Sequence, residues 1–210
     1  MPKLFMLLIG CKPEGRHVEQ HDVFFAIADS IRDTIAQVKA FWPEGKSGLH
    51  YDAWREVTKV DGYRVNVITS PGIKSNIQSP GIGNRMQLFF INLGGYKPGE
   101  FEEFHYKTII TASDKGEAVA KAKEAAFFRH TGFKGARAHI DDRYGVDVDD
   151  LFAIPDILPS SFKKRYSLEI TPAPEEVPED EIHLGYFKLD SVDKWATILP
   201  DAASQKSSPE

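Results

Sequence analysis

A stretch near the N-terminus, Lys3–Ser30, recurs without a gap as Gln87–Asp114. The two stretches align at a constant offset of 84 positions (88 − 4). The identical positions are Leu4 and Leu88, Phe5 and Phe89, Gly10 and Gly94, Gly15 and Gly99, Glu19 and Glu103, His21 and His105, and Ala28 and Ala112. A repeat of this kind predicts a chain built from two copies of one folding unit, which restricts the fold more than any other feature.

In the first copy, the sequence predicts two strands and a helix. Leu4–Ile9 is continuously apolar, which is typical of a strand covered on both faces. His17–Ala28 begins with polar residues at every second position and then becomes apolar, which favours a second strand. Asp29 and Ser30 are helix-capping residue types, so we expect an amphipathic helix to follow them and to end near Pro43.

The first copy should end in a β-hairpin. Glu56–Val60 and Tyr63–Thr69 are rich in β-branched residues and are joined by the dipeptide Asp61-Gly62. Glycine accepts the positive φ that a type I′ turn requires, so this dipeptide is a strong hairpin signal. Copy one is therefore predicted to consist of strand, strand, helix and hairpin.

Copy two is predicted to repeat this plan. Strands are expected at Leu88–Leu93 and Phe104–Ala112, followed by a capped helix from Asp114 to near Gly132. Ala138–Asp141 then corresponds to Leu49–Asp52 at an offset of 89 (139 − 50). Beyond the repeat the two copies diverge.

The remaining chain is predicted to contain a loop and two strands. Asp142–Pro159 is acidic and indicates a loop. Arg165–Thr171 and Ile182–Leu189 are strand-like and are separated by the proline-rich, acidic loop Pro172–Asp180. Residues after Trp195 lack the apolar content that offsets an ordering cost of about 1 to 2 kcal/mol per residue, so we expect a disordered tail.

The predicted fold class is α+β, with two tandem ββαβ(β) repeats that form a mostly antiparallel sheet. Each repeat contributes one amphipathic helix, and a pseudo-two-fold axis is expected to relate the copies. The predicted parts are copy one at residues 1–69, a linker at 70–85, copy two at 86–158, C-terminal strands within 159–195 that pack on copy two, and the tail at 196–210.

Composition restricts the class of protein. Of the 210 residues, 41% are hydrophobic and 27% are charged, which is typical of a globular protein. The net charge of −5 argues against general nucleic-acid binding. The single cysteine, Cys11, excludes an internal disulfide and favours a reducing, cytoplasmic location.

Leu4–Ile9 is too short for a signal peptide, and no segment approaches the roughly 18 to 20 apolar residues that cross a bilayer, so we expect no membrane association.

Two kinds of polar pair recur and mark the candidate site. In an extended strand, residues i and i+2 lie on one side about 6.5 to 7 Å apart, so the two side chains of a pair can converge. Two histidines and two carboxylates per copy form a ligand set for zinc, manganese or iron. The same residues could instead hold turns by bonding backbone carbonyls, which needs no ligand. The pairs are Glu19 with His21 and His50 with Asp52 in copy one, and Glu103 with His105 and His139 with Asp141 in copy two.

Three weaker motifs are rejected. In the acidic stretch Asp141–Asp150, Gly145 precedes Asp147 and no glutamate follows in place, so the pattern of an EF-hand loop is not met. Gly94–Gly99 is rich in glycine but precedes a strand, so no helix N-terminus is present to hold a phosphate. Cys11 has no paired histidine in the sequence pattern, which makes a nucleophilic role unfavourable.

Four segments together resemble a bacterial family known as domain of unknown function fifteen-forty-three. They read LFMLLIGCKPEGRHVEQHDVFFAIADS, LHYDAWREVTKVDGY, LFFINLGGYKPGEFEEFH and HIDDRYGVDVDD. The resemblance covers Leu4–Ile154 in two copies. It implies a small bacterial protein, cytosolic and without an assigned activity, so it supports the duplication and supplies no mechanism.

The function we expect from the sequence is non-enzymatic. The duplication and the absence of a strong catalytic signature favour a protein that binds a protein or small-molecule partner in a groove between its copies. No cofactor is expected, although the paired residues would accept a divalent transition metal, and a homo-oligomer is compatible with the sequence. The alternative is a metal-dependent hydrolase that uses the duplicated pairs.

Overall fold

The computed structural model describes residues 1–69, 86–96, 99–130 and 147–191. Four predictions lie outside these residues: the linker at 70–85, the helix end near Gly132, the pair His139 and Asp141, and the tail at 196–210. The chain divides into two compact units. The first comprises Met1–Val57 with the described residues that follow Glu179, and the second comprises Thr58–Glu179.

The first unit contains a four-stranded antiparallel sheet. Its strands are β1 (Lys3–Cys11), β2 (Gln20–Ala28), β3 (His50–Glu56) and β10 (His183–Lys188). They are arranged in the order β10-β3-β1-β2. The apolar runs therefore form the first two strands as predicted.

Among the described residues, neither C-terminal strand pairs with a strand of copy two, which corrects the prediction. Tyr166–Pro172 pairs with Tyr63–Thr69, part of the predicted copy one. The other C-terminal strand is β10. It pairs with β3, which belongs to the first unit. Phe187 is 1% exposed and Leu189 is 2% exposed, and both lie in the core of this unit. The burial of these two side chains explains the pairing, which joins residues too distant in sequence for local patterns to reveal.

One face of this sheet is covered by helical turns. A 3-10 helix at Ile31–Thr34 leads into α1 (Ile35–Phe41), which is followed by 3-10 turns at Pro43–Gly48. The predicted side-chain cap is not formed, because the Ser30 hydroxyl donates to the Asp33 carboxylate at 2.7 Å instead. The residues of β1 that face this core are alternate ones: Phe5, Leu7, Ile9 and Cys11.

The second unit contains a three-stranded antiparallel sheet with a helix. Its strands are β6 (Gln87–Tyr96), β7 (Glu103–Ala112) and β8 (Asp147–Ala153), in the order β7-β6-β8. Helix α2 (Lys115–His130) contributes Ala118 and Ala122 to the core over this sheet.

The start of α2 confirms the predicted cap. Asp114 Oδ1 accepts the backbone N–H of Glu117 at 2.9 Å, and the Glu117 carboxylate accepts the backbone N–H of Ser113 at 2.8 Å. Hydrogen bonds from the Lys121 ammonium, the Ser113 hydroxyl and the Ser113 backbone N–H lower the pKa of the Glu117 carboxyl to about 2.

Strand β8 corrects the prediction of an acidic loop over Asp142–Pro159. Asp147–Ala153 pairs along β6, and α3 (Ile154–Ile157) follows it. Val148, Leu151 and Ala153 pack against the core of the second unit. Burial of these apolar residues outweighs the low strand propensity of the aspartates between and before them.

A second three-stranded sheet completes the second unit. It contains β4 (Lys59–Val60), β5 (Tyr63–Thr69) and β9 (Tyr166–Pro172), in the order β4-β5-β9, and the short helix α4 (Ser160–Lys163) precedes β9. Asp61 has φ 49 and Gly62 has φ 78, as the predicted type I′ turn requires. The structure is thus mixed α and β with antiparallel sheets, and in its described residues no helix is long and apolar enough to cross a membrane.

Candidate metal centre

Gly10 lies at the centre of the polar cluster of the first unit. It pairs with His21 on β2 and with His50 on β3, so the three residues lie side by side across the sheet. A Cβ atom at Gly10 would lie 2.6 Å from His50 Nε2, 2.8 Å from Asp52 Oδ2 and 3.0 Å from His21 Cδ2. The absence of a side chain at this position leaves the space into which the neighbouring side chains converge.

The cluster lies on the face of the sheet opposite α1. Ile9 and Cys11 point into the helix-covered core, and residues alternate along a strand, so Gly10 faces away from it. A β-bulge falls beside the cluster, because the register of β1 and β3 shifts between Leu8 and Ile9. Such an extra residue re-aims side chains locally, and here the unpaired residue is Asp52.

The two predicted pairs of copy one meet in this structure. We call the residues Glu19, His21, His50 and Asp52 the first cluster. His21 Nε2 lies 3.1 Å from Asp52 Oδ2 and 3.8 Å from Glu19 Oε2. His50 Nε2 lies 3.3 Å from Glu19 Oε1 and 3.3 Å from Asp52 Oδ1. Each carboxylate therefore contacts both imidazoles.

His50 is the buried member of the first cluster, and its orientation is fixed. Its side chain is 1% exposed, and its Nδ1 lies 2.9 Å from the carbonyl oxygen of Gly48. A carbonyl can only accept, so Nδ1 carries a proton and Nε2 points towards the carboxylates. His50 Nε2 and Asp52 Oδ2 are buried without a hydrogen-bond partner, since their short contacts lack the alignment of hydrogen bonds. A cation placed between these atoms would satisfy them.

The donor atoms are spaced as ligands of a transition metal. A metal that holds nitrogen ligands at about 2.0 to 2.1 Å in tetrahedral geometry separates neighbouring donors by about 3.3 Å. Three of the four contacts between imidazole and carboxylate are 3.1 to 3.3 Å, with different oxygens of Asp52 facing the two imidazoles. One donor atom from each of Glu19, His21 and His50 lies within 4.8 Å of the other two, and Asp52 lies beside this group. The Nδ1–H bond to a backbone carbonyl is the outer contact that metal-ligating histidines usually make. The residues present therefore fit such an ion.

Strand β10 covers one side of the first cluster. The Tyr186 ring lies 4.2 Å from the His50 ring, centroid to centroid, with an interplanar angle of 34°. Further along the strand, His183 stacks on Trp54 at 3.9 Å. The side chains of Glu19, His21 and Asp52 are 42%, 41% and 28% exposed, so the cluster also has an open side.

A second cluster occupies the same register positions in the second unit. Gly94 pairs with His105 on β7 and with Asp147 on β8, and the register of β6 and β8 shifts between Asn92 and Leu93. That shift falls 84 positions (92 − 8) beyond the shift in the first unit. The equivalent glycine and the equivalent bulge thus recur together.

We call Glu103, His105 and Asp149 the second cluster. His105 Nε2 lies 3.3 Å from Asp149 Oδ2 and 3.9 Å from Glu103 Oε2. A Cβ atom at Gly94 would overlap the Asp149 carboxylate. A hydrogen bond with the Glu103 carboxylate raises the pKa of the Tyr96 phenol. The side chains of the three members are 34% to 41% exposed, so this cluster is open to solvent.

The structure adds a residue to the second cluster that the sequence did not single out, and it leaves the predicted pair His139 and Asp141 untested. His139 and Asp141 lie outside the described residues, and β8 instead places Asp149 where β3 has Asp52, an offset of 97 (149 − 52). Sequence reasoning had assigned Asp149 to a loop. The signal that could have identified Asp149 is the segment Asp147-Val148-Asp149. Asp149 follows Asp147 by two residues, as Asp52 follows His50 by two residues.

Cys11 does not belong to either cluster. It lies in the core beneath α1, on the face of the sheet opposite Gly10. Burial, with smaller contributions from the charges of Glu19 and Glu44, raises the pKa of its thiol. A raised thiol pKa disfavours the thiolate, in agreement with the prediction that Cys11 is not a nucleophile.

The first cluster lies within the stretch of the chain that is similar to a protein-family model. A family model described as Domain of Unknown Function (DUF1543) matches residues 16–67, a range that contains all four members of the cluster. No curated protein matches the chain. Among solved structures, the chain is similar to the crystal structure of a protein Il1583 from Idiomarina loihiensis, with TM-score 0.53 and 19% identity over 90% of this chain and 98% of that chain. At this identity the likeness concerns the fold alone.

Proposed function

We propose that this protein binds a divalent transition metal ion, of the class that zinc represents, through Glu19, His21, His50 and Asp52. The observation that carries the proposal is the buried Nε2 atom of His50. It has no hydrogen-bond partner, although the opposite ring nitrogen is fixed on Gly48 and two carboxylates lie 3.3 Å away. A buried polar atom without a partner is costly unless a bound group satisfies it.

The competing interpretation is a network of ion pairs without metal. In that network His50 would carry a second proton and donate it to a carboxylate. A protonated ring should form a well-aligned, charge-assisted hydrogen bond of about 2.7 to 2.9 Å. The observed contacts are longer and unaligned, and Gly10 keeps the central space clear. These features favour a metal ion at the centre over direct pairing.

The binding protein we infer carries a duplicated unit. The support is the constant sequence offset of 84 positions (88 − 4), together with β2-β1-β3 and β7-β6-β8 sheets that have matching registers and bulges. We propose that the function is binding, as the sequence suggested, and that its first ligand is the metal ion. A groove between the copies, a protein partner and a bacterial cytoplasmic setting stay predictions.

The test is metal content together with calorimetric titration. Protein purified without chelator and then titrated with Zn²⁺ should bind one equivalent tightly at the first cluster. The double variant His21→Ala, His50→Ala should lose at least about 100-fold in affinity, more than the removal of an outer-shell partner causes. His17→Ala is the matched control, because His17 is an exposed histidine just before β2 and outside the cluster.

Two results would contradict the proposal. Wild-type protein that shows no saturable Zn²⁺ binding at micromolar concentrations would exclude the site. Equal Zn²⁺ affinity of the wild type and the double variant would show that the ion binds elsewhere. The histidine and carboxylate pairs would then be structural contacts.

A second candidate function is metal-dependent hydrolysis. It is favoured by the open side of the first cluster, where three members are 28% to 42% exposed. A divalent ion bound by three or four such ligands supplies an activated water at neutral pH. Turnover of ester or phosphoester substrates that needs Zn²⁺, stops with chelator and disappears in the double variant would support an enzyme. Zinc-loaded protein without turnover leaves the binding function in place.

A further inference from the structure

We propose that the second cluster is a separate divalent-cation site with a preference for oxygen-seeking ions such as Mn²⁺. The inference goes beyond the metal site of the proposed function, because it uses Glu103, His105 and Asp149, none of which contributes to the first cluster. It also adds Asp149 to the pair of Glu103 and His105 that the sequence predicted.

The geometry brings three potential ligands to one point. One donor atom from each of the three residues lies within 4.8 Å of the others. His105 Nε2 is 3.3 Å from Asp149 Oδ2, and the imidazole distinguishes this cluster from a surface patch of acids.

The position of the cluster in its sheet supplies an independent observation. Gly94 stands between the strands that carry His105 and Asp149, and the Asp149 carboxylate occupies the volume that a Cβ at Gly94 would fill. The bulge that frees Asp149 recurs at the site equivalent to the bulge at Asp52. The central glycine and the neighbouring bulge that bring the first cluster together are therefore also present in the second unit.

The donor types determine the class of ion. The first cluster offers two imidazole nitrogens, which suit zinc and similar ions, whereas the second offers one nitrogen and two carboxylates. Carboxylate-rich sites suit Mn²⁺, Mg²⁺ and Ca²⁺, and water completes their coordination. All three members are at least one-third exposed, which leaves room for those waters and predicts weaker binding than at the first cluster.

The test uses Mn²⁺ alone and reads free and bound ion by electron paramagnetic resonance. The titrated protein is the full-length His21→Ala, His50→Ala variant, in which the first cluster is disabled. We expect saturable binding of one Mn²⁺ per chain. Adding Asp149→Asn and His105→Ala should weaken it at least tenfold, whereas Glu124→Gln, which removes an exposed carboxylate on α2, should leave it unchanged.

Gly94→Ala offers a second route that leaves all ligands in place. Its Cβ would displace the Asp149 carboxylate, so Mn²⁺ binding should fall as it does in the ligand variants. Asp149→Asn preserves the shape of the side chain and keeps the test valid if the glycine variant does not fold.

Two outcomes would overturn the inference: non-saturable Mn²⁺ binding, or binding that Asp149→Asn and His105→Ala leave unchanged. Failure of the proposed function looks different. In that case the wild type shows no Zn²⁺ binding at the first cluster, while Mn²⁺ binding at the second still depends on Asp149 and His105.

Discussion

The two polar clusters lie at equivalent register positions of two separate sheets. They differ in the residue of the bulged strand that pairs with the central glycine, which is a histidine only in the first unit. In both, a glycine separates a histidine-bearing strand from a strand with a bulged aspartate. On the bulged strand, the residue that pairs with the glycine is His50 in the first unit and Asp147 in the second. In both sheets a central glycine and a bulge bring the polar side chains together. Under the proposed metal binding, we expect the bulged-strand residue paired with the glycine to select the ion.

The surroundings of the clusters differ as well. His50 is 1% exposed and lies against Tyr186 of β10, the strand that pairs with β3. In the described part of the second unit, the sheet β7-β6-β8 has no fourth strand beyond β8. The first cluster therefore has a buried, oriented imidazole, whereas the second depends on exposed side chains.

The largest expected effect comes from filling the two glycine positions. Gly10→Ala should reduce Zn²⁺ affinity about 100-fold, as for loss of an oriented partner, and should destabilise the fold by roughly 1 to 3 kcal/mol through overpacking. The reason is that the new Cβ would lie 2.6 Å from the buried His50 Nε2. Calorimetric titration and denaturant unfolding would measure both effects.

Gly94→Ala should cost less stability, because the Asp149 side chain is 34% exposed and can turn away into solvent. Gly116→Ala in α2 is the control, since a Cβ there would approach only the Asp114 carboxylate, which belongs to neither cluster. Equal effects of Gly10→Ala and Gly116→Ala on Zn²⁺ affinity would show that the central space of the first cluster has no special role.

An intermediate effect should follow from making the second cluster resemble the first. Asp147→His would place an imidazole opposite Gly94, at the position that His50 holds opposite Gly10. In the background of His21→Ala and His50→Ala, this change should raise Zn²⁺ affinity at least tenfold by adding a second nitrogen ligand. Calorimetric titration with Zn²⁺ measures the gain.

Asp147→Asn is the matched control, because it removes the same charge without adding an imidazole. If the histidine and asparagine variants bind Zn²⁺ equally, the residue opposite the glycine does not select the ion. The difference between the clusters would then have to come from burial alone.

Much of the fold could be predicted because its signals are local. The apolar run that forms β1 and the Asp61-Gly62 turn each depend on residues that are adjacent in sequence. The pairing of β10 with β3 was missed because it depends on burial of Phe187 in a core assembled from distant segments. Strand β8 was missed because its aspartates mask the apolar residues that pack inwards.

The site could be predicted only in part for a related reason. Repetition identified His21 and His105, and it identified their neighbouring glutamates as well. Whether His21 and His50 meet depends on the register on either side of Gly10 and on a bulge, and residue spacing encodes neither. Asp149 was missed because His139-x-Asp141 matches both polar residues of His50-x-Asp52. The segment that contains Asp149 matches only the aspartate.

The smallest expected effect concerns Tyr186, which lies on β10 against the first cluster. Its ring lies 4.2 Å from that of His50, and an aromatic contact of this kind contributes about 0.5 to 1.5 kcal/mol. Tyr186→Ala should therefore weaken Zn²⁺ binding at the first cluster by about two- to tenfold. Mn²⁺ binding at the second cluster should stay unchanged.

Tyr186→Phe separates the ring from its hydroxyl group. If stacking holds His50 in the orientation that Gly48 also fixes, the phenylalanine variant should bind Zn²⁺ as the wild type does. A phenylalanine variant as weak as the alanine variant would assign the effect to the hydroxyl and remove stacking as its cause. Unchanged binding in both variants would mean that β10 extends the sheet without adjusting the site, and the clusters would then differ through the residue opposite the glycine alone.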